Sequence, residues 1–185
     1  MPRVPFDSLP GSARVWIFAS DRELSEPENR RLLTLADEFL DQWAAHGKPL
    51  RCARDWRDHR FLTLGVDPTH EQASGCSIDG MFRALQTFQR DVGAQLLGGA
   101  RVFYRDQSGA VRVDSRDEFE RLASTGAVAP DTVIFDTSLT KASDYRARFE
   151  VPARDAWTAW LFPAAQPSSK DESRAATQSS SASSG

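Results

Sequence analysis

The sequence predicts an α+β fold. Short β-branched and aromatic runs alternate with two long stretches of helical hydrophobic spacing, and polar turns rather than helices join several of the runs. Residues 14–18, Arg-Val-Trp-Ile-Phe, read as a buried strand. Ser25-Glu26-Pro27-Glu28 marks a helix start by its Ser cap, early Pro and a Glu three residues on. Leu32, Ala36, Phe39, Leu40 and Trp43 then recur at helical spacing, with Gly47 as the stop. Leu50, Cys52 and Trp56 alternate along a second strand, joined through Arg57-Asp58-His59 to a third at residues 61–66.

A loop from Asp67 to Cys76 leads to a second amphipathic helix, with Ile78, Phe82, Leu85, Phe88, Val92 and Leu96 on its apolar face and Gly98-Gly99 at its end. Asp106-Gln107-Ser108-Gly109 turns between strands at 101–105 and 110–114. Ser115-Arg116-Asp117-Glu118 opens a shorter helix that stops near Gly126. Residues 132–135 read as a further strand. Trp157, Trp160 and Leu161 are spaced for one face of a short helix covering the sheet.

The order strand, helix, strand, strand, helix, strand over residues 14–105 is that of a ferredoxin-like split β-α-β core, with helices mainly on one face of an antiparallel sheet that the later strands extend. A mixed sheet with helices on both faces is the competing arrangement. The expected organisation is an N-terminal extension over 1–13, one domain over 14–162 and a disordered Ser/Ala-rich tail over 163–185, whose composition buries too little apolar surface to offset its ordering entropy.

A formal charge of −3 from 23 basic and 26 acidic residues in mixed order creates no long-range field toward nucleic acid or anionic membrane. No apolar run approaches the roughly 20 residues that span a bilayer, and Met1-Pro2-Arg3-Val4-Pro5 lacks an apolar core of signal-peptide length. Cys52 and Cys76 are too few for a disulfide framework. A cytoplasmic setting is therefore expected.

Ser74-Gly75-Cys76-Ser77-Ile78-Asp79 gathers a thiol, two hydroxyls and a carboxylate at the expected helix start. With Ser77 as N-cap and Asp79 favoured by the helix dipole, a Cys76 thiolate would be stabilised by the dipole and free N–H groups, and Ser74-Gly75 would form a concavity for an anion. His46 would serve as the base. The same residues also read as capping alone, with Cys76 packed on Met81 as a staple and His46 closing the first helix. Cys76 and Arg83 are separated by six residues, whereas the phosphate-cradling loop of cysteine-dependent phosphatases needs about five. His70, Glu71, Cys76 and Asp79 are zinc-ligand types in no zinc spacing, so neither a metal nor another cofactor is expected. Gly47-Lys48 is followed by Pro49 and forms no Walker A loop. The five Trp residues form no stacking ladder for single-stranded nucleic acid.

Val15-Trp16-Ile17-Phe18, Trp43-Ala44-Ala45-His46-Gly47, Ser74 to Asp79 and Val133-Ile134-Phe135 together resemble an uncharacterised bacterial protein family marked by a W-x-A-H-G helix end and an S-G-C-S-I-D loop. The likeness spans about residues 14–162. Some members carry an "ABC transporter ATPase" label, which the missing Walker A motif does not match. The resemblance implies a bacterial, soluble, single-domain protein and assigns no catalytic residue. The expected function is a small binding or regulatory module, with a small anionic ligand or a second copy of the chain as partner. The alternatives are a thiol-dependent enzyme using Cys76, and an anion or phosphometabolite binder at the same loop.

Overall fold

Strand β1 (Arg14–Ser20) lies between two cores, and its alternation assigns its apolar side chains to one or the other. A computed structural model describes residues 3–45, 47–69, 75–97 and 101–162, with the backbone alone for Ala45, Cys76, Ser77 and Leu97. In chain order, β1 is followed by α1 (Glu26–Gln42), β2 (Ala44–Ala45), β3 (Lys48–Pro49), β4 (Cys52–Arg57), β5 (Phe61–Val66), α2 (Gly75–Val92) and β6 (Leu96–Leu97). Then come β7 (Arg101–Arg105), β8 (Val111–Ser115), α3 (Arg116–Ser124), β9 (Val133–Phe135), α4 (Ala142–Arg148) and β10 (Glu150–Pro152).

Two antiparallel sheets form the α+β body, in the orders β4-β5-β1-β6 and β10-β9-β7-β8. On the outer face of the first sheet, Phe18, Leu62, Leu64 and Val66 meet Leu32, Ala36 and Leu40 of α1 and Met81, Leu85 and Phe88 of α2. On its inner face, Val15, Ile17 and Phe61 meet Phe103 and Phe135 of the second sheet, with Tyr145 and Phe149 from α4 and the residue after it. The far face of the second sheet, with Val102, Tyr104 and Ile134, is covered by Phe119 of α3. Helices, sheet, sheet and helix are therefore stacked around three apolar clusters. Among the described residues, no helix is long and apolar enough to cross a membrane.

Residues 101–105 do not extend the first sheet as the sequence reading has it; they start the second. Val102 and Tyr104 face one way and Phe103 the other, so β7 needs apolar cover on both faces and the sheet-on-sheet position supplies it. The edge place in the first sheet goes to β6, because Gly93 (φ +65°) ends α2 early and Leu96–Leu97 pairs with Ala19–Ser20. Helix α1 likewise stops at Gln42, before Trp43. Gly47 (φ +78°) turns the short β2–β3 hairpin instead of capping the helix.

Phe82 and Trp160 are 43% and 64% exposed, against their expected covering roles, and Ala159–Leu161 is only a 3-10 turn. Met81 takes the buried place on α2. Helix α4 has no counterpart in the sequence reading. Residues 3–13 lie against the inner face of the first sheet, with Leu9 and Ala13 buried. A Cβ on Gly65 would meet Leu9 Cδ1 at 2.7 Å, so this strand glycine is what lets the segment approach. The 163–185 tail lies outside the described residues.

Candidate functional site

Helix α2 begins at Gly75, two residues before the expected Ser77 cap, so Cys76 and Ser77 belong to its first turn. Gly75 and Asp79 are exposed, and a Cβ on Gly75 would meet nothing within 4 Å. Ser74, His46, His70 and Glu71 lie outside the described residues. The structure therefore places the helix start together with Gly75 and Asp79.

The other thiol, Cys52, is fully buried, and its Sγ–H donates to the Leu40 carbonyl at 3.3 Å. Burial pushes it up to about 12, with Asp41 adding to the effect. It is a core residue.

A different charged group is assembled at the hairpin between β4 and β5. The Arg60 N–H returns to the Arg57 carbonyl at 3.0 Å, and the two residues between them, Asp58 and His59, have φ of +52° and +49°. Neither is glycine, and each costs about 1 kcal/mol or more in this left-handed region. Several contacts hold the turn there. The His59 carbonyl accepts from Leu24 N–H at 2.9 Å, and the Arg60 carbonyl from Ser20 N–H at 2.9 Å. His59 Nδ1 lies 2.6 Å from Asn29 Nδ2, and Arg105 Nη2 reaches Asp58 Oδ1 at 3.0 Å from the second sheet.

Because Arg57 pairs with Phe61 across the hairpin, Arg60 falls outside the ladder as an extra residue. Its side chain turns into a cleft of about 280 Å³ lined also by Glu23, Asp58, His59, Arg105 and Val111. Only 9% of Arg60 is exposed, yet its guanidinium makes no hydrogen bond and no ion pair among the described residues. Burial pulls the guanidinium below its ordinary value, against the more distant charges of Glu23, Asp21 and Asp58. An arginine remains protonated at neutral pH all the same.

No family model, curated protein or solved structure matches the chain.

Arg105 is fully engaged: Nη2 donates to Glu150 Oε2 at 3.1 Å and to Asp58, and its guanidinium stacks 4.8 Å over Phe135. Behind the hairpin, Arg57 Nε donates to Asp55 Oδ2 at 2.7 Å. A larger cavity of about 540 Å³ lies beyond Arg105, lined by Tyr104, Asp106, Arg112, Leu122 and Val128. Its charged groups are already paired. Arg112 Nε donates to Asp106 Oδ2 at 2.6 Å, and the Tyr104 hydroxyl, pushed up to about 12 by burial and Asp114, donates to that carboxylate at 2.8 Å. The smaller cleft differs from it in holding a cation that makes no hydrogen bond or ion pair among the described residues.

Sequence reasoning passes over Arg60, Glu23 and Arg105. The available signal is the turn itself, Arg57-Asp58-His59-Arg60, which carries charge at a position where hairpins favour Asn-Gly.

Proposed function

We propose that the chain is a small binding or regulatory module that takes a small anion at the Arg60 cleft. A single observation carries this reading: Arg60 is a residue nine-tenths buried that lines a cavity, and its guanidinium makes no hydrogen bond or ion pair among the described residues. An isolated buried charge is costly, and a bidentate carboxylate or phosphate oxygen pair offsets that cost better than any neighbour present. The strained Asp58-His59 turn supports it, because such strain is kept where the surroundings hold it in place for a purpose.

The reading is tested by following the Arg60 Nε–H and the backbone amides of residues 58–61 by nitrogen-proton NMR while acetate and inorganic phosphate are added. Saturable shifts confined to these groups and lost in Arg60→Met are expected. Arg60→Met should also raise stability by about 1–3 kcal/mol, since the charge is replaced by an apolar chain of similar length. Absence of shifts, together with a destabilised Arg60→Met, would overturn the reading.

The β4-β5-β1-β6 order, with α1 after β1 and α2 after β5, supports the finer proposal of a ferredoxin-like unit within the first sheet. The motif residues support kinship with the bacterial W-x-A-H-G and S-G-C-S-I-D family, and a count of two cysteines, too few for a disulfide framework, supports a cytoplasmic setting. A second reading keeps Cys76 as a reactive thiol. It is favoured by the start of α2 at Gly75, which sets Cys76 among the free N–H groups of the first turn.

A further inference from the structure

We infer that the ligand of the Arg60 cleft is a small zwitterion, an α-amino acid or a close relative, whose carboxylate pairs with Arg60 and whose ammonium pairs with Glu23. This rests on the reading of the cleft as an anion site and names the ligand class. The charges of the cleft and the one carboxylate behind it, Glu150, fall into two groups. Asp58, Arg105 and Glu150 satisfy one another within 3.1 Å. Arg60 and Glu23 are left over, one of each sign.

The Glu23 carboxylate makes no hydrogen bond or ion pair among the described residues, and its chain position is exposed. It is near enough for its charge to act on Arg60, yet the two form no ion pair. A gap between a lone cation and a lone anion is a site for a molecule carrying both signs. A bare anion would satisfy Arg60 while sitting close to the negative charges of Glu23 and Asp58, which raises its cost. A zwitterion meets both groups and leaves the cleft's net charge unchanged.

Size agrees. The cleft of about 280 Å³ holds several waters' worth of volume at about 30 Å³ each, which suits an amino acid and falls just below the usual range of larger ligands. The Asp58-His59 turn contributes rigidity, since it is tied to Leu24 on one side and to Arg105 on the other.

The test compares glycine, 4-aminobutyrate, acetate and methylammonium on the full chain by the same NMR shifts. Glycine or 4-aminobutyrate is expected to bind at least about tenfold more tightly than acetate, a difference of about 1.4 kcal/mol. Glu23→Gln, an exposed change that leaves the fold intact, should remove this advantage while acetate binding persists. Arg60→Met should abolish binding of all carboxylates. If acetate equals the zwitterions and Glu23→Gln changes nothing, the zwitterion inference fails and the anion reading stands. If no carboxylate shifts the Arg60 resonances, the anion reading itself fails.

Discussion

The Tyr145 hydroxyl donates to Asp55 Oδ2 at 2.8 Å, joining α4 to β4 across ninety residues of chain. The ring is fully buried, stacks against Phe149 at 4.7 Å and lies under the Arg57 guanidinium at 5.0 Å. Burial holds the phenol well above its ordinary value, so it is a donor throughout the physiological range. Tyr145→Phe keeps the ring and removes the donor, while Asp55 retains Arg57 and the Trp56 N–H. A loss of about 1–2 kcal/mol in urea denaturation is expected. An unchanged midpoint would mean that the bond contributes nothing to holding α4.

Glu28 gives a pH-dependent test. Its carboxylate accepts from Arg22 at 2.6 and 2.9 Å and from the Ser25 N–H and hydroxyl at 2.8 Å, which lower it from 4.5 to about 2, with Arg22 the largest cause. Because the folded value is depressed, the stabilisation is present above about pH 4.5 and is lost as pH falls through about 2. Glu28→Gln should therefore cost about 1 kcal/mol at pH 7, the usual worth of a cap. The gap between the two proteins should close on acidification, and a gap that persists to pH 2 would refute the assignment.

The two thiols should differ sharply toward alkylation. Cys52, with its thiol pushed up to about 12, should stay unlabelled until the protein unfolds. If the start of α2 activates Cys76, it should label rapidly at about pH 6.5, and Cys76→Ser should leave stability nearly unchanged. Slow labelling of Cys76 up to about pH 9, with a loss above about 1 kcal/mol on Cys76→Ser, would show a packed residue and end the thiol-enzyme reading.

Trp43 is 2% exposed and lies against Phe39 and Trp16, with ring centroids at 5.1 and 5.7 Å. Trp43→Ala should cost about 3–5 kcal/mol. Retention of the wild-type denaturation midpoint would contradict its place between α1 and the first sheet.

The spacing of Leu32, Ala36 and Leu40 reveals α1, and the alternation of Leu50, Cys52 and Trp56 before the polar Arg57-Asp58-His59 turn, with the apolar run 61–66 after it, reveals the β4–β5 hairpin, because local period reports which side of an element is covered. Ser115 is legible as a cap, and its hydroxyl does accept from Glu118 N–H at 3.2 Å. Local period does not report what provides the cover. β7 has apolar residues on both faces, which fits an added edge strand as well as a second sheet, and only partners distant in sequence distinguish them. Helix α4 escapes notice because its buried residues, Ala142 and Tyr145, are outnumbered by exposed polar ones. The site is harder still. The isolation of Arg60 is a property of what surrounds it in space, and the residues around it include Glu23, Arg105 and Val111, which no motif connects.

Arg146 Nη2 donates to the Leu9 carbonyl at 2.7 Å and to the Phe6 carbonyl at 3.0 Å, and the Phe6 ring meets Tyr145 edge-on at 5.4 Å. During synthesis the first of these residues leaves the ribosome some 140 positions ahead of its partner. At about 5–20 residues per second, that interval lasts many seconds, during which Leu9, Val15, Ile17 and Phe61 have no second sheet or α4 to lie against. The nascent chain thus displays one apolar sheet face until its C-terminal half has emerged. Phe6 and Leu9, made well before α4, are therefore among the last residues to dock.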